Sequence, residues 1–270
     1  MQTTQTPIAF SGKIPVNYDT YLGPMFFEPY ALDLANRISK LKAGKILELA
    51  SGTGRLTKLL PAVIDKATEI IASDINPSMV AFGKEISKNE NIKWMEIDAV
   101  SLPFEDETFD LVVVQFGVMF YSDKVKAFKE AHRVLKPGGT FLFNCWDEIN
   151  NNPMPIIANE VLRHFFPENT PAFYSVPFSY FNDMEIKSDL QKAGFEKTEI
   201  ELLFLTGFSK SPQQAAKGLI EGTPTITAIE DRDPTVLPEL IAYLEDKIIQ
   251  NFGSATIEIP LRARVVSTIK

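Results

Sequence analysis

The stretch Lys45-Ile46-Leu47-Glu48-Leu49-Ala50-Ser51-Gly52-Thr53-Gly54-Arg55-Leu56-Thr57 constrains the fold more than any other part of the chain. A short apolar run passes through a turn of small residues into helical spacing, which reads as strand, tight loop and helix start. Gly52 and Gly54 carry no Cβ, so the backbone can bend sharply there and a ligand can approach it closely. Free N–H groups at the helix start can meet polar ligand groups. An ordinary strand-to-helix turn also uses small residues. Three acids distinguish the two readings. Glu48 lies near the end of the strand. Asp74 ends the next apolar run, Glu69 to Ser73, about 20 residues past the glycines, where an α/β fold places a ribose-binding carboxylate. Asp98 ends a third run, Ile92 to Ile97. Ligands of a doubly wound sheet bind outside the carboxyl ends of its strands, so these acids are expected to face one crevice.

The pattern continues on both sides of this core. Leu56, Leu59 and Leu60 mark a helix face that Pro61 interrupts, and Asn76-Pro77 opens a helix through Met79, Val80 and Phe82. Phe109 to Phe116 is nearly continuously apolar, which suits a strand buried on both faces of a parallel sheet. Asp123 to Leu135 reads as a helix, and Lys136-Pro137-Gly138-Gly139 as its stop and a turn into the strand Thr140 to Trp146. This alternation argues an α/β fold with a parallel sheet. Ahead of it, residues 1–12 are polar and expected to fray. The aromatic stretch Val16 to Tyr30 follows, broken by Gly23, Pro24 and Pro29, then a helical run from Ala31 to Ile38. Beyond the core, helices are expected at Pro153 to Phe166, Asp183 to Ala193, Pro212 to Ile220 and Leu237 to Gln250. A loop rich in proline and aromatics is expected at Pro167 to Phe181, and a strand at Phe195 to Phe208. A last strand spans Thr256 to Val266, with Pro260 demoting its first half to an edge or bulge. The 270 residues are expected to form a single domain: 1–39 an N-terminal segment and helix, 40–146 the core, and 147–194 and 209–252 helical insertions.

Composition narrows the partners. The formal net charge is −8, from 27 basic and 35 acidic residues. Without a basic run, this argues against nucleic acid or an anionic membrane as partner. The one cysteine, Cys145, excludes an intramolecular disulfide and a Cys-rich metal site, and His132 and His164 show no ligand spacing, so no metal is expected. No signal-peptide pattern opens the sequence, and no apolar run is long enough to span a bilayer; cytoplasmic is the default expectation.

With these residues in place the chain resembles the class I S-adenosylmethionine-dependent methyltransferases, in the branch similar to quinone-biosynthesis and other small-molecule methyltransferases. The matching pieces are Glu48 through Gly54, Asp74-Ile75-Asn76-Pro77-Ser78-Met79, Asp98-Ala99 with Leu102-Pro103-Phe104, Phe109-Asp110, and Arg133 through Gly139. Ala50 stands where the family's glycine motif has its first glycine. The resemblance implies a Rossmann-like, doubly wound, mostly parallel seven-stranded sheet with the last strand antiparallel. It implies S-adenosyl-L-methionine as cofactor, with Glu48 near its ammonium group and the backbone of Ala50, Ser51, Gly52 and Gly54 along the methionyl part. Asp74 would take the ribose hydroxyls, Ile75 and Met79 the adenine face, and Asp98 with the Ala99 N–H the adenine edge. Gln115 and Phe116 would lie by the sulfonium. The N-terminal segment closes the site in many of these enzymes, so Val16 to Tyr30 is expected as a lid, with Tyr21 touching the cofactor.

On the acceptor side the candidates are Tyr18, Phe120, Trp146 and His164. Aromatic residues clustered after the fifth strand point to an apolar or aromatic small molecule, although they would serve equally to pack the tail. Methyl transfer needs alignment more than covalent help, and a base only where the acceptor must lose a proton. No triad-like pattern identifies a catalytic residue; Tyr18, Tyr21, His164, Asp147 and Glu148 are weak candidates. One alternative is a non-catalytic, cofactor-binding regulatory subunit. Another is an NAD-dependent oxidoreductase, but Thr57 falls where its third glycine would stand. Oligomeric state is not legible.

Overall fold

The computed structural model describes residues 10–270; residues 1–9 of the stretch expected to fray lie outside it. The chain begins with α1 (Ile14–Asn17), a π-helical segment (Tyr18–Phe27) and α2 (Glu28–Ile38), which follow one another directly. The breaks expected at Gly23, Pro24 and Pro29 do not occur. The wider π-helical turn accommodates Pro24, with the Glu28 N–H donating to the Gly23 carbonyl five residues back. Pro29 falls in the first turn of α2, where its fixed φ suits the helix. Helix α2 buries Tyr30, Ala31, Leu34, Ala35 and Ile38, one stripe at helical spacing.

The core then runs β1 (Lys45–Leu49), α3 (Leu60–Val63), β2 (Glu69–Asp74), α4 (Pro77–Ser87), β3 (Ile92–Glu96), β4 (Phe109–Gln115), α5 (Lys124–Val134) and β5 (Leu135–Trp146). Next come α6 (Pro153–Phe165), α7 (Asp183–Lys192), β6 (Lys197–Ser209), α8 (Pro212–Glu221), α9 (Thr225–Glu230), α10 (Leu237–Phe252) and β7 (Ile257–Ile269). The seven strands lie in the order β3-β2-β1-β4-β5-β7-β6. The first five are parallel, and β7 runs antiparallel between β5 and β6. The strand order turns at β1 and β4, so the switch-point crevice opens at their carboxyl ends.

Alternate residues of the central strands feed opposite faces. Leu47, Leu49, Val112 and Val114 join one core, and Ile46, Leu111 and Val113 the other. That accounts for the unbroken apolar run in β4. Asn76 caps α4 by accepting from the Ser78 and Met79 N–H groups, as the Asn-Pro signal predicts.

Two local expectations are corrected. The segment after the glycine turn, expected as a helix face of Leu56, Leu59 and Leu60, is not α-helical before Leu60. It winds through three-residue bonds, Leu59 N–H to Leu56 O and Leu60 N–H to Thr57 O, before the four-residue α3, because Pro61 has no N–H to extend a ladder. Lys136 to Gly139 belongs to β5 itself, with an irregular register opposite Phe109 and Leu111. Gly138 and Gly139 bond the backbone of Lys270 there. Pro260 sits in an unbroken β7, but opposite β6 only; pairing with β5 starts at Ala263. Its missing N–H therefore lies on the strand's single-partner stretch.

Candidate active site

The turn after β1 holds three residues in the left-handed region. Gly52 and Gly54 have φ of +55° and +80°, and Ala50 has +51°. Phe116, at the end of β4, has φ +50°. A non-glycine residue there costs about 1–2 kcal/mol, so Ala50 and Phe116 are held by their surroundings. Gly117 supplies part of that accommodation: a Cβ on it would lie 2.4 Å from the Ala50 Cβ. The methyl that replaces the family's glycine hydrogen thus rests on the bare face of Gly117. On the far side, the Trp94 ring leaves no room for a side chain on Gly54 or Gly83.

The acids expected at the strand ends share this crevice. Glu48 is fully buried. Thr57 Oγ1 donates to its Oε2 at 2.6 Å, while its Oε1 is buried without a partner. Burial pushes the Glu48 carboxyl up to about 8, against the pull of the Thr57 hydroxyl and with a smaller push from Asp74. Asp74 Oδ2 accepts from Gly52 N–H at 2.9 Å and Oδ1 from Asn76 N–H at 2.8 Å. Burial raises its carboxyl above the usual range, opposed by N–H groups of Asn76, Gly52 and Ile75. Asp98 is exposed, and its Oδ1 accepts from the Val100 N–H. Ser51 Oγ, in the turn, is a second buried polar atom with no partner. Orphaned buried oxygens are costly unless something else satisfies them. Here they flank the backbone of the glycine turn, so a ligand that brings hydrogen-bond donors could satisfy them. Ala99 and Met79 are buried and Ile75 is 54% exposed at the mouth.

Across Phe116 the crevice meets an aromatic cavity, lined by Tyr18, Phe27, Phe116, Phe120, Trp146 and Phe173 among others. Phe116 stacks on Trp146 at 3.8 Å and 9°. Asn144, fully buried on β5, fixes Phe116 by accepting its N–H at 2.8 Å. Gln115 Nε2 donates to the Phe27 carbonyl at 2.8 Å, tying the end of β4 to the N-terminal segment. Arg55, the residue after the glycine turn, makes the second tie. It pairs with Asp19 at 2.7 Å and Glu28 at 2.9 Å and donates to the Asp19 carbonyl. Thr53 Oγ1 also donates to Asp19, at 2.9 Å.

The sequence candidates therefore divide. Tyr18 lines the cavity and stacks on Phe27 at 4.8 Å; its hydroxyl feels Asp74, so the ring stands between cavity and crevice. Tyr21 lies against α8, with Lys217 Nζ 5.7 Å from its ring centroid. Phe120 and Trp146 line the cavity, but His164 does not. It is exposed and stacks on Tyr243 of α10 at 5.0 Å, because it falls off the apolar stripe that α6 turns inward. Asp147 is buried but bonded to Arg262 and Arg264. His132 packs on Phe195. The sequence reading passes over Asn144, Arg55 and Tyr121; the hydroxyl of Tyr121 is buried without a partner and feels the carboxylates of Asp74 and Asp98.

The sheet order, the crevice at the switch point and the glycine turn define the class I S-adenosylmethionine-dependent methyltransferase fold. A computed match to the ubiE/COQ5 methyltransferase family spans residues 18–173, more than half of the chain. The protein belongs to that family. One curated relative, the ubiquinone/menaquinone biosynthesis C-methyltransferase of Pasteurella multocida, is 41% identical over 131 residues, which cover 47% of this chain and 49% of the relative. The chain thus spans about half the length of the curated relatives it matches. Among solved structures, a methyltransferase-like protein of Bacillus halodurans superposes with a TM-score of 0.58 at 19% identity, covering 88% of this chain and 98% of that one. Phosphoethanolamine N-methyltransferase 2 of Haemonchus contortus, solved with phosphomonomethylethanolamine and S-adenosylhomocysteine, gives 0.59 at 18% identity, covering 95% and 56%. At such identities these two establish the fold.

Proposed function

We propose that the protein transfers a methyl group from S-adenosylmethionine to a small apolar or aromatic acceptor. The observation that carries this reading is one junction. A crevice with buried, unpartnered Glu48 and Ser51 oxygens abuts an aromatic cavity, with Phe116 and Tyr18 between them. The cofactor, when bound, supplies a methyl group on a sulfonium. Glu48 receives its ammonium group, and each Asp74 oxygen keeps a lone pair for a ribose hydroxyl. Asp98 and the Ala99 N–H meet the adenine edge, with Ile75 and Met79 on its face. Gln115 and Phe116 border the reacting centre, and the cavity holds the acceptor in line.

The segment from Tyr18 to Phe27 serves as a lid that excludes water, and the insertions at 147–194 and 209–252 supply the far wall, including Phe173, Tyr174, Phe178 and Thr223. The titratable side chains among the described cavity residues are Tyr18 and Tyr174, and the latter donates to the Leu219 carbonyl at 2.6 Å. Burial raises the Tyr18 phenol, so it acts as a hydrogen-bond donor and not as a base. This favours an acceptor that needs no protein base. The net charge of −8 and the absence of a basic run favour small molecules over nucleic acid as acceptors, and we place the enzyme in the cytoplasm as the default for such a sequence. No helix among the described residues is long and apolar enough to cross a membrane.

Calorimetry should find binding of S-adenosylmethionine and S-adenosylhomocysteine and little of NAD; tight NAD binding with neither of the others would end this reading. Turnover of methyl-labelled cofactor across phenols, amines and quinols separates an enzyme from a regulatory binding subunit. Quinols belong in that screen because the curated relatives are named for ubiquinone and menaquinone biosynthesis.

Glu48 makes the affinity depend on pH. With its carboxyl near 8 in the ligand-free protein, Glu48 is protonated at pH 6. A cationic ammonium stabilises the carboxylate, so binding releases a proton and tightens as pH rises, at most about tenfold per unit. At still higher pH the ligand's own α-ammonium, held up by its neighbouring carboxylate, loses its charge and affinity falls again. S-adenosylhomocysteine should bind more tightly as pH rises from 6 to 8, and Glu48→Gln should flatten this limb and weaken binding at pH 8 about tenfold. A pH-independent wild type would remove Glu48 from the ammonium.

A further inference from the structure

The chain turns away from β4 through a single 3₁₀ turn, Val118–Phe120, and ends it at Tyr121. Phe120 lines the aromatic cavity. Tyr121, one residue on, packs its ring against the core, and its phenolic oxygen is buried with no hydrogen-bond partner. Its backbone is fixed: the N–H donates to Val118 O at 3.3 Å, and the carbonyl accepts from Lys124 Nζ at 3.4 Å. So the ring is held where it is by its own turn, and the oxygen is aimed by that turn into a place that gives it nothing to bond.

Where that place lies follows from the charges around it. Beyond burial, the groups acting on the Tyr121 hydroxyl are the carboxylates of Asp74 and Asp98. These sit at the ends of β2 and β3, on the side of the switch point opposite to β5. Tyr121 follows the end of β4, so its ring comes to these two acids from the β4 side of the switch point, and its hydroxyl lies near both carboxylates with no partner of its own. A tyrosine hydroxyl can donate one bond and accept others, whereas ionised Asp74 and Asp98 only accept. A ligand contacted by the acids alone meets acceptors from those side chains; Tyr121 adds a donor beside them.

We propose that the Tyr121 hydroxyl hydrogen-bonds the adenosine portion of the ligand that occupies this crevice, as a third side-chain determinant beside Asp74 and Asp98. This rests on the cofactor reading above. It also explains why a phenol stands at a position where a phenylalanine ring would pack as well: the oxygen is a cost in the free protein that the ligand removes.

That asymmetry gives the test. Tyr121→Phe removes the orphaned oxygen and leaves the ring. The free protein should melt about 2–4 °C higher, while the dissociation constant of S-adenosylhomocysteine should rise roughly tenfold. A residue with a purely structural role cannot do both. The probe that places the contact is 5′-methylthioadenosine, which carries the adenosine without the amino-acid group. Tyr121→Phe should weaken it by the same factor as S-adenosylhomocysteine, whereas Glu48→Gln should leave it unchanged. Equal affinities of wild type and Tyr121→Phe for both nucleosides would overturn the inference while leaving the cofactor reading intact. So would a lower melting temperature of the free variant. Failure of the wild type to bind either nucleoside would overturn the cofactor reading and this inference with it.

Discussion

Asp74→Ala should weaken S-adenosylhomocysteine binding about a hundredfold while leaving the protein folded. Two contributions add. The carboxylate stands to accept two ribose hydroxyls, each charge-assisted bond being worth roughly 1.5–3 kcal/mol before water replaces part of it. It also accepts the N–H groups of Gly52 and Asn76, so it braces the glycine turn against the start of α4. Removing it frees both sides of the crevice, and a loss of about 2.7 kcal/mol corresponds to the hundredfold change. The fold should tolerate the change because Asp74 is the last residue of β2 and its carboxyl bonds only the crevice backbone. Asp74→Asn separates the two contributions: its amide oxygen can still take one of the N–H bonds but offers fewer acceptors to the ribose. Calorimetry on both variants, with melting temperatures as the folding control, checks this. A folded Asp74→Ala variant with an unchanged dissociation constant would remove Asp74 from the ribose.

The polar half of this site is legible in the sequence because it depends on where strands end. Apolar runs fix those ends, and Glu48, Asp74 and Asp98 follow from them with the glycines between. Met79 and Trp146 also follow, from the helix start at Asn76-Pro77 and the end of β5. Tyr121 does not. The sequence places Phe120 on the acceptor side, where it lines the cavity, but nothing in Val118-Met119-Phe120-Tyr121 says that the next ring comes near the acids; the single 3₁₀ turn decides that, and it rests on pairs such as Phe116 with Asn144 that are distant in sequence. His164 could have been excluded by periodicity alone. Met154, Pro155, Ile157, Ala158, Val161 and Leu162 are the buried positions of α6, and residue 164 is off that stripe. Its place after the fifth strand is a weaker signal than its place on the helix.

The N-terminal segment is the hardest part to read, because what holds it lies nearly 200 residues away. Pro24 would normally end a helix. Here the π-helical turn continues because its backbone is seated on glycines. A Cβ at Gly207 of β6 would lie 1.8 Å from the Met25 carbonyl oxygen, and one at Gly218 of α8 would lie 2.7 Å from the Tyr21 Cβ. Gly23 likewise leaves space for the Arg55 guanidinium. The Gly207 contact is the least forgiving of these, since its neighbour is backbone and cannot swing aside. Gly207→Ala must push the segment off β6, and overpacking of this kind costs about 1–3 kcal/mol, occasionally more. The free protein should therefore melt about 4–8 °C lower for a 2 kcal/mol loss. The same displacement moves Phe27, whose carbonyl takes the Gln115 amide, and Tyr18, which stacks on Phe27 beside the crevice. S-adenosylhomocysteine affinity should fall with stability even though Gly207 lies on β6, outside the crevice. Gly44→Ala is the control, because a Cβ there meets only Asp110 Oδ2 at an ordinary 3.5 Å. It should change neither quantity appreciably. If Gly207→Ala kept both the melting temperature and the affinity of the wild type, the close seat on β6 would not be what holds the lid in place.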